Sequence, residues 1–286
     1  MSNQKSSPIL ILLLISLLIF SCVFLNGKSV LSYLVEETEI NEASGIASSL
    51  KYPGLLYTHN DSGGEAAVYV LNQIGLMPAK IILKGIENRD WEDIATCYDP
   101  KDKKPYVYVG DIGDNNSSHS SSFIYRFEEP EIKDTLILVH NIQKIEFVYE
   151  DGPRDAEALM VDPKTGDIYI ISKRDNPAKI YQLSYPQSLT EVNTARLIGT
   201  LTYKWVVAAD FSPSGDYILV KTYNQIYRYK RRPNKTVIEA LMTKPKILPY
   251  ELEEQGEAVA FDAKGKGYFT ISEKAENTEV KLYYYR

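Results

Sequence analysis

"DAEALMVDPKTGDIYIISKR", residues 155–174, holds one structural unit in a single line. Small and acidic residues lead into an apolar run, Ala156 to Val161. Asp162-Pro-Lys-Thr-Gly166 turns the chain, and Ile168 to Ser172 is a second apolar run. Proline presets the turn and glycine supplies a positive φ, so the two runs read as a hairpin. The same form recurs in "EASGIASSLKYPGLLYTHND" (42–61), "DWEDIATCYDPKDKKPYVYVGD" (90–111), "VVAADFSPSGDYILVKT" (206–222) and "GEAVAFDAKGKGYFTISEK" (256–274). Aligned, Ser44, Glu92, Glu157, Val207 and Glu257 occupy one position. Successive copies lie about 50 residues apart, with a longer step between Glu92 and Glu157, which is the spacing of propeller blades.

A third strand follows in each copy: "AVYVLN", "FIYRFEE", "KIYQLSY", "QIYRYKR" and "VKLYYYR". A fourth run follows in four of them, at Lys80 to Lys84, Lys144 to Tyr149, Arg196 to Tyr203 and Thr236 to Met242. No amphipathic helical period of useful length interrupts this pattern. Four short antiparallel strands repeated five times predict an all-β fold, a five-bladed propeller. The long second step leaves room for a sixth blade near Thr135 to His140. The last copy stops at its third strand, and a spare strand-like run, Ser29 to Glu37, precedes the first. That run is expected to complete the last blade and close the ring, removing two exposed edges.

The N-terminus reads as a targeting segment over residues 1–28, ahead of a single domain over 29–286. Lys5 is the only charge before the apolar run Pro8 to Phe20, which is short for a membrane span. Ile19-Phe20-Ser21-Cys22 resembles a lipobox, in which Cys22 is acylated. Cleavage near Gly27 or retention as an anchor are the alternatives, and each places the domain outside the cytoplasm, secreted or membrane-attached. The balance of 32 Lys+Arg against 38 Asp+Glu is mildly acidic and argues against a nucleic-acid binder, whose domain would be strongly basic. Cys97 is left alone in the mature part, inside an apolar run, and reads as a buried thiol. Trp91 and Trp205 precede inner strands and read as packing residues.

Trp91-Glu-Asp-Ile94, Tyr108-Val-Gly-Asp-Ile-Gly-Asp-Asn115, Tyr125-Arg-Phe127, Asp151-Gly-Pro-Arg-Asp-Ala-Glu-Ala158, Phe211-Ser-Pro-Ser-Gly215 and Gly256-Glu-Ala-Val259 together resemble a group of secreted bacterial, actinobacterial-type β-propeller proteins. More distantly the pattern is similar to the esterase-like phytase propellers and to the gluconolactonase and regucalcin propellers. Those relatives imply calcium-supported hydrolysis of a phosphoester or lactone. Their catalytic signatures have no residue-by-residue match here, and fold alone does not carry function.

In each hairpin the start of the first strand and the end of the second lie at one edge of the sheet. In a propeller that edge forms one mouth of the channel. It is expected to gather Ser44, His59 and Asp61; Glu92, Asp93, Asp111, Asp114 and Asn115; Asp155, Glu157, Lys173 and Arg174; Val207 and Lys221; and Glu257 with Glu273. Glu92, Asp93, Asp111, Asp114 and Asn115 are the candidate metal ligands, since calcium takes about six to eight oxygens. His59, Asp61, Glu157, Lys173, Arg174, Lys221, Glu257 and Glu273 are the candidate ligand-binding set, with Glu157 and Arg174 as an inter-strand pair. Scattered histidines argue against zinc. The reading is a monomeric binding module that takes a divalent cation, small molecule or peptide at its mouth and meets the membrane through its N-terminus. A calcium-dependent hydrolase and an envelope scaffold are the alternatives.

Overall fold

The computed structural model of the chain describes residues 22–25, 28–276 and 278–286. The targeting segment lies largely outside them, as does the side chain of Cys22, so the acylation reading concerns atoms beyond the described residues. Among the described residues no helix is long and apolar enough to cross a membrane.

The described residues are all-β apart from one helical turn. Strands β1 (Cys22–Leu25) and β2 (Lys28–Leu34) come first. The first unit holds β3 (Ala43–Ser48), β4 (Leu55–Asn60), β5 (Ala67–Asn72) and β6 (Ala79–Leu83). The second holds β7 (Trp91–Tyr98), β8 (Pro105–Asp111), β9 (Ser122–Glu128), β10 (Leu136–Val139) and β11 (Gln143–Tyr149). The third holds β12 (Ala156–Val161), β13 (Ile168–Ser172), β14 (Lys179–Leu183) and β15 (Asn193–Thr200). The fourth holds β16 (Val206–Phe211), β17 (Tyr217–Thr222), β18 (Ile226–Lys230), α1 (Val237–Leu241) and β19 (Lys246–Leu248). The last holds β20 (Ala258–Phe261), β21 (Tyr268–Ile271) and β22 (Lys281–Tyr285). Within each unit successive strands pair antiparallel, except that β10 stands outside the ladder of the second unit, where β9 pairs directly with β11. Strand β2 pairs with β22 in register Val30↔Tyr285 to Leu34↔Lys281, so the last sheet takes its fourth strand from the start of the chain.

The first strands of the units lie side by side in a ring: β3 packs on β7, β7 on β12, β12 on β16, β16 on β20, and β20 back on β3. The apolar interior follows the same plan. It divides into five clusters, each shared by two neighbouring units, and one joins the last unit to the first through Ile46, Leu56, Ala258 and Phe269. Strands pressed on both faces lose their polar alternation, and β12 and β20 are buried throughout. Small residues recur in these strands because neighbours approach closely. A Cβ at Gly45 would stand 2.9 Å from Asp93 Cα and 2.9 Å from Ile94 N.

The hairpin turns carry the expected chemistry. Gly166, Gly215 and Gly265 have positive φ, and the Asp262 carboxylate accepts from the backbone N–H groups of Lys264, Lys266 and Gly267 at 2.9 Å each.

Three expectations need correction. Thr236 to Met242 is not a strand: Thr236 caps α1, and Thr236 and Glu239 satisfy each other's backbone N–H in a capping box. The fourth strand of that unit is β19 instead. The segment near Thr135 to His140 is β10, which adds parallel to the outer edge of β6 rather than founding another unit. Trp91 is fully buried, but Trp205 stands 38% exposed with positive φ and is not a packing residue.

Candidate functional site

Four of the five aligned positions coincide with a backbone irregularity. The pairing skips one residue at Ser44, Glu92, Glu157 and Val207, each lying between two residues that stay in register with the next strand. A bulged residue has no cross-strand partner, and its side chain is re-aimed. Glu92 and Glu157 are thereby turned toward the ring's centre, while Glu257 arrives there from the loop just before β20. Ser44 does not: its hydroxyl donates to the Glu92 carbonyl at 2.8 Å and ties two units together.

Two groups of carboxylates converge at this edge, with oxygens of each within 4.8 Å of one another: Asp61, Asp90 and Glu92, and Glu92, Asp155 and Glu157. Glu92 belongs to both. Burial, then the charges of Glu157, Asp61 and Asp90, push its carboxyl well above the usual range. Burial and then Glu257 do the same to Glu157, against the pull of Lys173. The second group carries its own cations. Arg174 meets Asp155 at 2.5 Å, and Lys173 pairs with Glu157 and lies 3.4 Å from Glu257. The Tyr223 hydroxyl donates to Glu257. The first group has no ion-pair partner among the described residues, and Asp61 Oδ1 is buried with no hydrogen bond.

The other expected metal ligands are engaged elsewhere. Asp93 is wholly buried; it accepts from Ile94 N at 2.9 Å, Leu159 N at 2.9 Å and Ala209 N at 3.3 Å, joining three successive inner strands. Asp111 pairs with Arg89 Nε at 3.0 Å. Asp114 accepts from the backbone N–H groups of Ser118 and His119 at 2.8 Å each. These bonds outweigh burial and hold the Asp114 carboxyl below its ordinary value. Asn115 accepts from Arg174. The structure therefore brings only Glu92 of that set into the carboxylate groups.

Of the ligand-binding set, Asp61, Glu157, Lys173, Glu257 and Glu273 share the mouth. His59 is buried beneath it, edge-on to Trp91 at 5.7 Å between ring centroids, and burial pushes its imidazole down to about 4. Lys221 is buried too. Its ammonium donates to the Gly256 carbonyl, faces the Tyr250 ring at 4.5 Å, and is pushed down to about 8 by burial. The expected Glu157–Arg174 pair is replaced by Glu157–Lys173, because the bulge at Glu157 shifts the register by one. Asp90 and Tyr223 stand outside the expected sets, although Asp90 had a signal in its place directly before the bulged strand.

The mouth predicts a pH response. Burial, then Asp90 and Glu257, raise Asp61 to about 7, and burial, then Glu257 and Asp61, raise Glu273 to about 8. The folded state thus holds protons that the unfolded chain releases near pH 4. Their contribution to stability is complete below that pH and is lost as pH rises through the folded values. Without added cation, the melting temperature is expected to fall between about pH 5 and 7.5. A flat or rising curve at constant ionic strength would contradict this arrangement.

No family model and no curated protein matches the chain. Solved structures do: an auxiliary nutrient binding protein from Bacteroides thetaiotaomicron superposes with a TM-score of 0.52 at 10% identity, covering 90% of this chain and 77% of that one. At that identity the likeness is one of fold. Matches number 723 solved chains, so the fold by itself selects no chemistry.

Proposed function

We propose that the chain is a five-bladed β-propeller, exported and held at the cell envelope through its N-terminal segment, that works as a binding module. Its acidic mouth takes a hard divalent cation of the calcium class at Asp61, Asp90 and Glu92. One observation carries this: three carboxylates converge with no ion-pair partner among the described residues, and one buried oxygen of Asp61 is unpaired. Like charges held together repel, and a cation relieves the repulsion. Calcium accepts carboxylate, carbonyl and water oxygens, so three protein ligands leave coordination free for a bound solute. The nutrient-binding description of the structural neighbour supports the binding class of function. Glu157 and Asp155, neutralised by Lys173 and Arg174, form the mixed-charge wall beside the ion.

Calcium should raise the melting temperature at pH 7.5, with a gain of about 2.7 kcal/mol at one hundred times Kd. The response should weaken at pH 5, where protons compete. Asp61→Asn and Glu92→Gln should each reduce it while leaving the apo domain as stable as, or more stable than, the parent. Melting that is indifferent to millimolar calcium and to chelator at both pH values would refute the cation site.

A further inference from the structure

We propose that the groove on the outer edge of the fourth unit binds a polyvalent phosphate-class anion. Between residues 228 and 246 the chain carries seven Lys or Arg and one Glu, in a protein whose formal charge is −6. The helix α1 and strands β18 and β19 fold this stretch around a cavity of about 780 Å³ lined by Arg228, Lys230, Arg232, Lys235, Lys244 and Lys246, with Tyr217 among the other walls.

The backbone register makes the excess of charge pointed. Arg228 stands directly opposite Lys246 across the β18–β19 pair, and Lys230 opposite Tyr217 across β17–β18. Arg228 and Lys230 are two residues apart on one strand, so they share a face with Lys246. Like charges directly opposite in a sheet destabilise it. The chain does little to offset them. Lys235 pairs with Glu239 at 2.7 Å and Arg231 reaches Asp162 at 2.6 Å. Among the described residues Arg228, Lys230, Arg232, Lys244 and Lys246 form no ion pair; Arg228 only lies over the Tyr217 ring at 5.0 Å. Several unpaired cations around one concavity exceed what a single carboxylate can balance. A ligand with several phosphate charges matches them, and guanidinium and ammonium groups are the natural partners of phosphate.

Lysine on an edge strand also deters strand pairing. That role requires charge of either sign and no ligand, so charge reversal separates the two. The full chain is titrated with inorganic tripolyphosphate and, separately, sedimented with phosphatidylglycerol-containing against phosphatidylcholine vesicles. Each is done for the parent and for Lys230→Glu/Lys246→Glu, which keeps the N-terminal apolar segment. Both substituted side chains are exposed. The variant should melt at or above the parent temperature in the absence of anion, since Glu at 246 faces Arg228. Its affinity should fall at least tenfold, and the parent's binding should weaken steeply with salt. A variant-sensitive response to tripolyphosphate alone assigns a soluble phosphate ligand; one confined to anionic vesicles assigns lipid headgroups. Equal behaviour of parent and variant in both arms, or no binding in either, overturns the proposal.

Discussion

Asp93→Ala should cost the domain about 3–6 kcal/mol, from three buried N–H groups left without an acceptor at about 1–3 kcal/mol each, reduced by partial relaxation. The carboxylate accepts from Ile94, Leu159 and Ala209, one N–H on each of three adjacent inner strands. Asp93 is wholly buried, so bulk solvent does not stand ready to replace the lost acceptor. A loss of this size is a large part of the stability of an ordinary domain, about 5–15 kcal/mol. Asp93→Asn should cost less, because its amide oxygen can still accept from one or two of the three. Chemical denaturation of both variants measures the order. As a metal ligand Asp93 would behave oppositely: its removal would relieve repulsion and stabilise the apo protein. A stable Asp93→Ala domain would therefore dismiss its role in joining the strands.

Lys173→Met should cost about 3–5 kcal/mol near pH 7, the range for breaking a buried ion pair on one side. The ammonium sits between Glu157 and Glu257, and Tyr223 lies beside it at 5.3 Å. Without it two buried carboxylates face each other. Burial and the neighbouring charge already hold the Glu157 carboxyl above its ordinary value, and losing Lys173 removes the pull that lowers it, so the penalty is full at neutral pH and shrinks as pH falls toward 4. The gap in melting temperature between parent and variant should close on acidification. A second consequence is independent of stability. With the internal cation gone, the mouth should hold a divalent cation more tightly than the parent. A gap that is constant with pH would show that Lys173 acts by packing rather than charge.

The repeat was legible because hairpin signals such as Asp162-Pro-Lys-Thr-Gly166 are local, and their recurrence with a fixed aligned position is visible without any structure. Ser29 to Glu37 as a closing strand could be read the same way, from a missing strand at one end and a spare at the other. What the aligned position does could not. A bulge is a relation between two strands, so Glu92 and Asp93, adjacent in sequence, gave no sign that one enters the mouth and the other a strand junction. The same shift of one residue exchanged Lys173 for Arg174 as the partner of Glu157. Thr236 to Met242 is a different kind of miss. Val237 and Ile238 favour a strand, and the capping box formed by Thr236 and Glu239 outweighed them.

The pairing of β2 with β22 also orders events in time. Their partners lie far apart along the chain, Val30 with Tyr285, so the last sheet stays one strand short until β22 has been made. Contacts of such sequence separation close late, because the chain between them must be ordered first. Until then β2 and β21 each present a free edge, and a chain released early, by truncation or proteolysis near its end, carries both. The seam thus acts as a check on both partners: only a polypeptide that carries β2 and β22 together can hide these edges, and one that lacks either is exposed to aggregation or degradation.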